Sequence, residues 1–169
     1  IDEPYIHLYP HWNYGKENET IKVKVYCNCS ECELFLNGKT LGKKSISRYE
    51  ALEWDVEYTP GMIKAIGYNE KRAVVETIRK TTGKASEIKL DTVTPEINYK
   101  KGDLAIINLC AYDREGLKVP DADTQLSLSI NGGKAVLYSQ NGDPSDHSLE
   151  KDRNLKLFNG LAQVIIKSM

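Results

Sequence analysis

The stretch ECELFLNGKTLG, residues Glu31–Gly42, decides the fold class of this chain. It sets a short apolar run before an Asn-Gly pair and a basic segment after it. Asn37 and Gly38 both tolerate positive φ, as a two-residue type I′ turn requires, and the twist of that turn matches the strands it joins. The alternative is a ligand-binding loop. We predict a β-hairpin, in which Lys39 and Lys43 keep an exposed edge soluble.

A period of two residues dominates the rest of the chain. In IKVKVY, Ile21 and two valines alternate with lysines, and LEWDVEY (Leu52–Tyr58) alternates in the same way with acidic residues. Such alternation is typical of strands with one buried face and one wet face. Helical periodicity is weak, and the best place for a short helical turn is His147–Asn154. Further predicted strands are Cys32–Leu36, Lys64–Tyr68, Arg72–Arg79, Leu104–Tyr112, Gln125–Ile130, Ala135–Tyr138 and Leu161–Lys167.

Turn residues separate these runs at regular intervals. Pro60-Gly61 fits a type II turn, and Asp113–Gly116 and Asn131–Gly133 occupy comparable places in the second half. Many short strands with frequent turns indicate β-sandwiches. The small, polar stretch Arg79–Asp91 predicts a linker. We therefore expect an all-β chain of two tandem sandwich domains, residues 1–83 and 84–169, the second either truncated at its last strand or incomplete.

Composition excludes several function classes. The chain has 169 residues and a net charge of −1, which gives no reason to expect nucleic acid or an anionic membrane as a partner. No apolar run approaches the length of a membrane span. The opening residues, which do not begin with Met, lack the basic and apolar regions of a signal peptide. We expect a piece of a longer protein.

Three of the four cysteines lie in CNCSEC, as Cys27, Cys29 and Cys32, and the fourth is Cys110. Clustered thiols raise the possibilities of disulfides and of zinc. Cys27 and Cys29 are two apart on a predicted strand and so share a face, as core residues do. No fourth zinc ligand is evident nearby. We favour buried free thiols and predict no metal and no cofactor.

Taken together, six segments in sequence order resemble one family. The first half resembles the domain that follows the catalytic barrel in glycoside hydrolase family 2 enzymes, chiefly bacterial β-galactosidase-like proteins. The second half resembles the next immunoglobulin-like domain of those proteins. Cys27 and Cys32 depart from the usual small or aliphatic residues. The matching segments are Pro10–Gly15, Lys24–Gly42, Trp54–Tyr68, Ala111–Ala122, Asn141–Pro144 and Phe158–Lys167.

The resemblance implies an accessory role without catalysis. The family's two catalytic glutamates lie on a TIM barrel upstream of the matched region, so no catalytic residue carries over to this chain. Retaining glycosidases need two carboxyl groups about 5–5.5 Å apart, and no pair here stands out. The implied partner is that barrel of the same polypeptide, and the parent enzyme would hydrolyse terminal glycosidic bonds with retention. A periplasmic or extracellular location is expected for such a bacterial enzyme, although free cysteines point the other way.

Four residues are candidates for contact with carbohydrate or with a neighbouring domain: His11, Trp12, Asn141 and Asp143. Trp12 is suited to stack on a sugar or to cap the preceding barrel; the alternative is that it packs in the core while Asn13 shapes a turn. The loop Asn141–Ser148 is suited to hold calcium or touch a saccharide. Its Asn-Gly-Asp-Pro sequence is also ordinary turn chemistry.

Two other functions compete with the accessory role. A carbohydrate-binding module would show a flat platform of exposed aromatic rings, whereas many of the tyrosines here alternate into predicted core faces. A structural or adhesion protein would have no hydrolase parent.

Overall fold

The computed structural model describes residues 3–47, 50–92, 96, 102–131, 135–149, 151 and 153–169. Over these residues the chain is entirely β-structure and turns, as the alternation predicts. Its contacts divide it into two compact units, Ile1–Thr81 and Thr82–Met169. None of the described residues forms a helix long and apolar enough to cross a membrane.

The described residues of unit 1 form seven strands in two antiparallel sheets, the arrangement of an immunoglobulin-like sandwich. One sheet has the order β1-β2-β5 and the other β4-β3-β6-β7. Their inward side chains form a single apolar core, in which Leu34 and Ile63 of one sheet are fully buried and Val23 of the other is nearly so. The strands are β1 (Ile6–Tyr9), β2 (Thr20–Cys27), β3 (Glu31–Leu36), β4 (Lys39–Ser45), β5 (Leu52–Glu57), β6 (Met62–Asn69) and β7 (Arg72–Lys80).

Unit 2 has a four-stranded antiparallel sheet of order β11-β13-β9-β8 and a two-stranded ribbon of β10 and β12. Between them lies a second, separate apolar core that includes Leu109, Leu157 and Val164. The tandem sandwich architecture is thus confirmed. The strands are β8 (Glu87–Thr92), β9 (Leu104–Tyr112), β10 (Gln125–Ser127), β11 (Ala135–Gln140), β12 (Asn154–Lys156) and β13 (Leu161–Ser168).

The predicted hairpin between β3 and β4 is confirmed. Asn37 and Gly38 are its two turn residues, with φ of 50° and 82°. Gly61 has a φ of 134° after Pro60, and Gly116, with a φ of 76°, closes the turn that begins at Asp113. The predicted turn at Asn131–Gly133 falls largely outside the described residues.

Several details of the sequence prediction were wrong. The described part of His147–Asn154, the best place for a helical turn but too polar for us to predict one, contains no helix, and Asn154 begins β12, which was not predicted. The division between the units falls within the predicted boundary region Arg79–Asp91, but that region also includes most of β8, which pairs with β9 and leaves only residues 81–86 between strands. The strand predicted over Gln125–Ile130 is shorter, and β1 was not predicted. β8 and β12 carry few buried side chains, so their alternation is weak and only pairing defines them.

Candidate functional site

Trp12 lies in the core of unit 1 rather than on its surface. Its side chain is 1% exposed, and its indole N–H donates a hydrogen bond to the Thr59 carbonyl at 3.1 Å. The ring meets Tyr58 edge-on, with centroids 5.2 Å apart. This position agrees with the core interpretation and leaves no free ring face for a sugar in this structure.

His11 is half-buried at the edge of the same aromatic cluster. Its ring stacks on Tyr14 with centroids 5.2 Å apart, and its Nδ1 accepts a hydrogen bond from the Asn13 N–H at 3.2 Å. Asn13 is buried, as the turn interpretation expects. The structure therefore brings His11 and Trp12 together as packing residues, and their contact with a partner stays a prediction.

The loop Asn141–Ser148 in unit 2 is built from side chains that bond to their own backbone. The Asn141 Oδ1 accepts from the Asp143 N–H at 3.0 Å, and its amide donates to Asp146 at 2.6 Å. The Asp143 Oδ1 accepts from both the N–H and the hydroxyl of Ser145, which lowers the pKa of that carboxyl. Ser148 likewise lowers the pKa of Asp146. The bonds to the N–H groups of Asp143, Ser145 and Ser148 are Asx turns.

An open groove of about 550 Å³ runs beside this loop. Phe158, which is 36% exposed, is an aromatic side chain in its lining. Lys156 in the same groove forms an ion pair with Asp123 at 3.0 Å. Polar groups and one exposed ring thus share a concave surface that also includes Asn141 and Asp143. The sequence analysis did not anticipate Phe158, because it precedes β13 and carries no strand periodicity.

A second surface that sequence analysis missed lies on the outward face of β1 and β2. We call it the outer tyrosine face; its members are Tyr5, His7, Tyr9 and Tyr26. The three tyrosines are 50%, 54% and 47% exposed. His7 pairs with Tyr26 across the strands, with ring centroids 6.4 Å apart. The signal was available in IHLY, where Ile6 and Leu8 point inward and so place His7 and Tyr9 outward.

The three clustered cysteines meet at one end of the unit 1 core, and all are free thiols. Cys32 is fully buried and Cys29 is 5% exposed, while Cys27 at the end of β2 is half-buried. A hydrogen bond from Cys32 lowers the pKa of Cys27 to about 6. Burial raises the pKa of Cys29 to about 11. Although the three thiols lie near one another, the described residues contain no group of three or more His, Cys, Asp or Glu side chains whose arrangement could hold a metal ion.

Comparison with known families assigns both halves of the chain. Residues 18–75 match the family described as "Domain of unknown function (DUF4982)". Residues 88–169 match "Glycoside hydrolase family 2 C-terminal domain 5". The two matches follow the order of the two units.

Relatives of known name align over nearly the whole chain. Beta-galactosidase BoGH2A of Bacteroides ovatus is 30% identical over 99% of this chain, which covers 20% of that protein. A putative beta-glucuronidase of Formosa agariphila is 28% identical over 99% of the chain and 17% of its own length. The chain thus spans about a fifth of the length of these relatives.

Solved structures agree with these matches. A glycosyl hydrolase family 2 member from Bacteroides cellulosilyticus superposes with a TM-score of 0.92 at 29% identity, over 99% of this chain and 26% of that one. A beta-glycosidase from Bacteroides vulgatus gives a TM-score of 0.87 at 30% identity, over 99% and 22%. The chain belongs to the C-terminal immunoglobulin-like accessory domains of glycoside hydrolase family 2.

Proposed function

We propose that this chain is the scaffold of a bacterial enzyme that hydrolyses terminal glycosidic bonds with retention, working in the periplasm or outside the cell. The observation that carries the proposal is the collinear match of both units to about one-fifth of a β-galactosidase. Relatives named as a β-galactosidase and as β-glucuronidases support a β-galactoside or a β-glucuronide as substrate. Bond cleavage would belong to the catalytic barrel of the same polypeptide, and nucleic acid and membrane have no part.

The outer tyrosine face is the surface through which unit 1 would pack against that barrel. Tyrosine is enriched at the buried centre of protein interfaces, since its ring supplies apolar area at a small entropic cost while its hydroxyl stays bonded. Tyr5, Tyr9 and Tyr26 are each about half exposed, although the opposite face of the same strands is buried. In a longer polypeptide of the relatives' length, the catalytic barrel would cover this face.

The accessory role is tested by assaying the isolated chain and the longer polypeptide with nitrophenyl β-galactoside and β-glucuronide. We expect no turnover by the chain alone and turnover by the longer polypeptide, because only the latter would contain the catalytic pair. Reproducible hydrolysis by the isolated chain would contradict the scaffold proposal.

The docking face is tested by amide hydrogen exchange on both forms. We expect β1 and β2 to exchange more slowly in the longer polypeptide than in the isolated chain. The double substitution Tyr9→Ala with Tyr26→Ala should abolish that difference and leave the isolated chain's melting temperature nearly unchanged. Val74→Ala, at a 41% exposed position elsewhere on unit 1, is the matched control. Equal exchange in the two forms would rule out this face as the docking surface.

Saccharide binding in the unit 2 groove is a second candidate function, favoured by the exposed ring of Phe158 among polar side chains. Calorimetric titration with galacto- and glucurono-oligosaccharides tests it. If the groove binds sugar, heat should be measurable and should be lost in Phe158→Ala and weakened in Asn141→Ala, while Leu149→Ala has no effect. A flat titration would remove this candidate and leave the scaffold role intact.

A further inference from the structure

Cys27 and Cys32 lie at one end of the unit 1 core, where Cys27 packs against the buried cluster that contains Cys32. Cys27 is the last residue of β2, whose inward residues Ile21, Val23 and Val25 are all buried. Because alternate residues of a strand share a face, Cys27 lies on the same inward face. Cys32 is the second residue of β3 and points inward like Leu34. Because β2 and β3 belong to different sheets, the short connection between them brings the two thiols together where the sheets meet.

Hydrogen bonds from both backbone and side-chain groups fix this connection on both sides. Asn28 exchanges hydrogen bonds with Tyr5: its N–H donates to the Tyr5 carbonyl at 3.2 Å and its Oδ1 accepts from the Tyr5 N–H at 2.7 Å. The Ser30 N–H donates to the Asn69 Oδ1 at 2.8 Å, and its hydroxyl donates to the Tyr68 carbonyl at 2.8 Å. The thiols are therefore held in place rather than carried on a loose loop.

The third thiol closes the cluster from the side of β6. A Cβ added at Gly67 would lie 2.7 Å from the Cys29 Sγ, so only glycine leaves room for that sulfur. Gly67 is in turn the cross-strand partner of Cys32. Cys29 thus occupies space beside Cys32, while Cys27 is the member of the cluster that reaches solvent.

We propose that Cys27 and Cys32 form a thiol-disulfide site, in which Cys27 attacks a low-molecular-weight disulfide and Cys32 then closes a bond between the two sheets. In the first step the Cys27 thiolate forms a bond to one sulfur of the small disulfide, whose S–S bond breaks to release a thiolate. In the second step Cys32 loses its proton and attacks the Cys27 sulfur, which releases the second small thiolate. Two protein thiols are oxidised and one small disulfide is reduced to two thiols.

The chemistry of the cluster suits this division of roles. A thiolate is the attacking species in such exchange, and the lowered pKa of Cys27, about 6, keeps it largely ionised at neutral pH. The hydrogen bond to Cys27 and then burial raise the pKa of Cys32, so Cys32 remains a neutral thiol until a mixed disulfide forms beside it. Cys110 provides an internal comparison, since it is a half-buried strand cysteine in unit 2 and lies outside the cluster.

The test is to treat the reduced full chain with oxidised glutathione at neutral pH, trap free thiols with iodoacetamide and map the peptides by mass spectrometry. We expect a cross-link between Cys27 and Cys32 with the loss of two hydrogens, both in the wild type and in Cys110→Ala. In Cys32→Ala, Cys27 should instead retain one glutathione. A persistent mixed disulfide on wild-type Cys27, a cross-link that omits Cys32, or reaction at Cys110 alone would overturn the proposal. Because the wild-type map needs no substitution, the test stands even if Cys32→Ala does not fold.

Discussion

Asn37 holds two turns of unit 1 at once. As the first turn residue of the β3–β4 hairpin it adopts a φ of 50°, which asparagine tolerates better than most residues. Its side-chain amide donates to the Pro60 carbonyl at 3.0 Å and its Oδ1 accepts from the Met62 N–H at 2.7 Å. A Cβ at Gly61 would collide with this amide. Asn37 therefore fixes the β3–β4 and β5–β6 turns against each other.

Two substitutions at this position separate backbone conformation from hydrogen bonding. Asn37→Gly keeps positive φ accessible but loses both side-chain bonds, and we expect unfolding to become easier by about 1–2 kcal/mol. Asn37→Ala loses the same bonds and also strains the turn, so it should cost about 1 kcal/mol more. Urea unfolding of both variants measures the difference. Equal stability of Asn37→Gly and wild type would show that the bonds to residues 60 and 62 contribute nothing.

At the scale of secondary-structure elements, Thr81 joins the end of β7 to two other segments of unit 1. Its hydroxyl donates to the Trp12 carbonyl at 2.8 Å and accepts from the Gly61 N–H at 3.1 Å. The Tyr58 hydroxyl lies 3.2 Å from the same oxygen. No pattern in the sequence marks this cluster, because its members come from three separate places along the chain: Trp12, the turn that contains Tyr58 and Gly61, and Thr81.

Removing the Thr81 hydroxyl tests the cluster without changing the volume of the side chain much. Thr81→Val leaves the Gly61 N–H and the Tyr58 hydroxyl without this partner, and we expect a loss of about 1–3 kcal/mol in the free energy of unfolding. Thr81→Ser keeps the hydroxyl and should retain most of the stability. Thermal unfolding followed by circular dichroism compares the two, and an equal loss in both would assign the effect to packing instead.

At the scale of the whole molecule, each unit has its own apolar core. In unit 2 a buried carboxylate, Asp113, also acts as an anchor for the surrounding turns, and it is 3% exposed. Its Oδ1 accepts from the N–H groups of Glu115 and Leu117 at 2.9 and 2.8 Å, and its Oδ2 accepts from the Gly83 N–H at 2.9 Å. These bonds, that from Leu117 above all, lower the pKa of the carboxyl. The anchor ties the segment before β8 to the turn after β9.

The lowered pKa makes unit 2 sensitive to acid. A carboxyl with a lower pKa in the folded state stabilises the fold above its unfolded pKa of about 3.9, and that contribution is lost as the pH falls through the folded value. We expect the melting temperature to drop below about pH 4, as the carboxyl takes up a proton. In Asp113→Asn the melting temperature at pH 7 should be lower than that of the wild type, because an amide N–H would face the Gly83 N–H. Its drop in acid should be smaller, because the amide does not take up a proton. Identical pH profiles for variant and wild type would contradict this role.

Much of the fold was accessible from sequence because a β-sandwich is encoded locally. Alternation fixes which side chains point inward, and Asn37-Gly38 fixes one hairpin, so β2, β3, β5 and β13 were predicted closely. Strands with few buried residues, such as β8 and β12, depend on pairing with partners distant in sequence and were missed. The candidate site was harder, since the sequence around Trp12 left both a surface role and core packing open, and only the structure shows that its side chain is buried.

The sequence by itself determined the β-architecture and the two-unit plan, because both follow from local periodicity and turn residues. It also determined the accessory family, because six segments resemble that family in the same order along the chain. Tertiary structure alone decided which aromatic rings face outward, which carboxyls serve as turn anchors, and that Cys27 and Cys32 lie together although they belong to opposite sheets. The reason is physical: burial and proximity across two sheets depend on the positions of residues far apart in the chain, and no local pattern contains those positions.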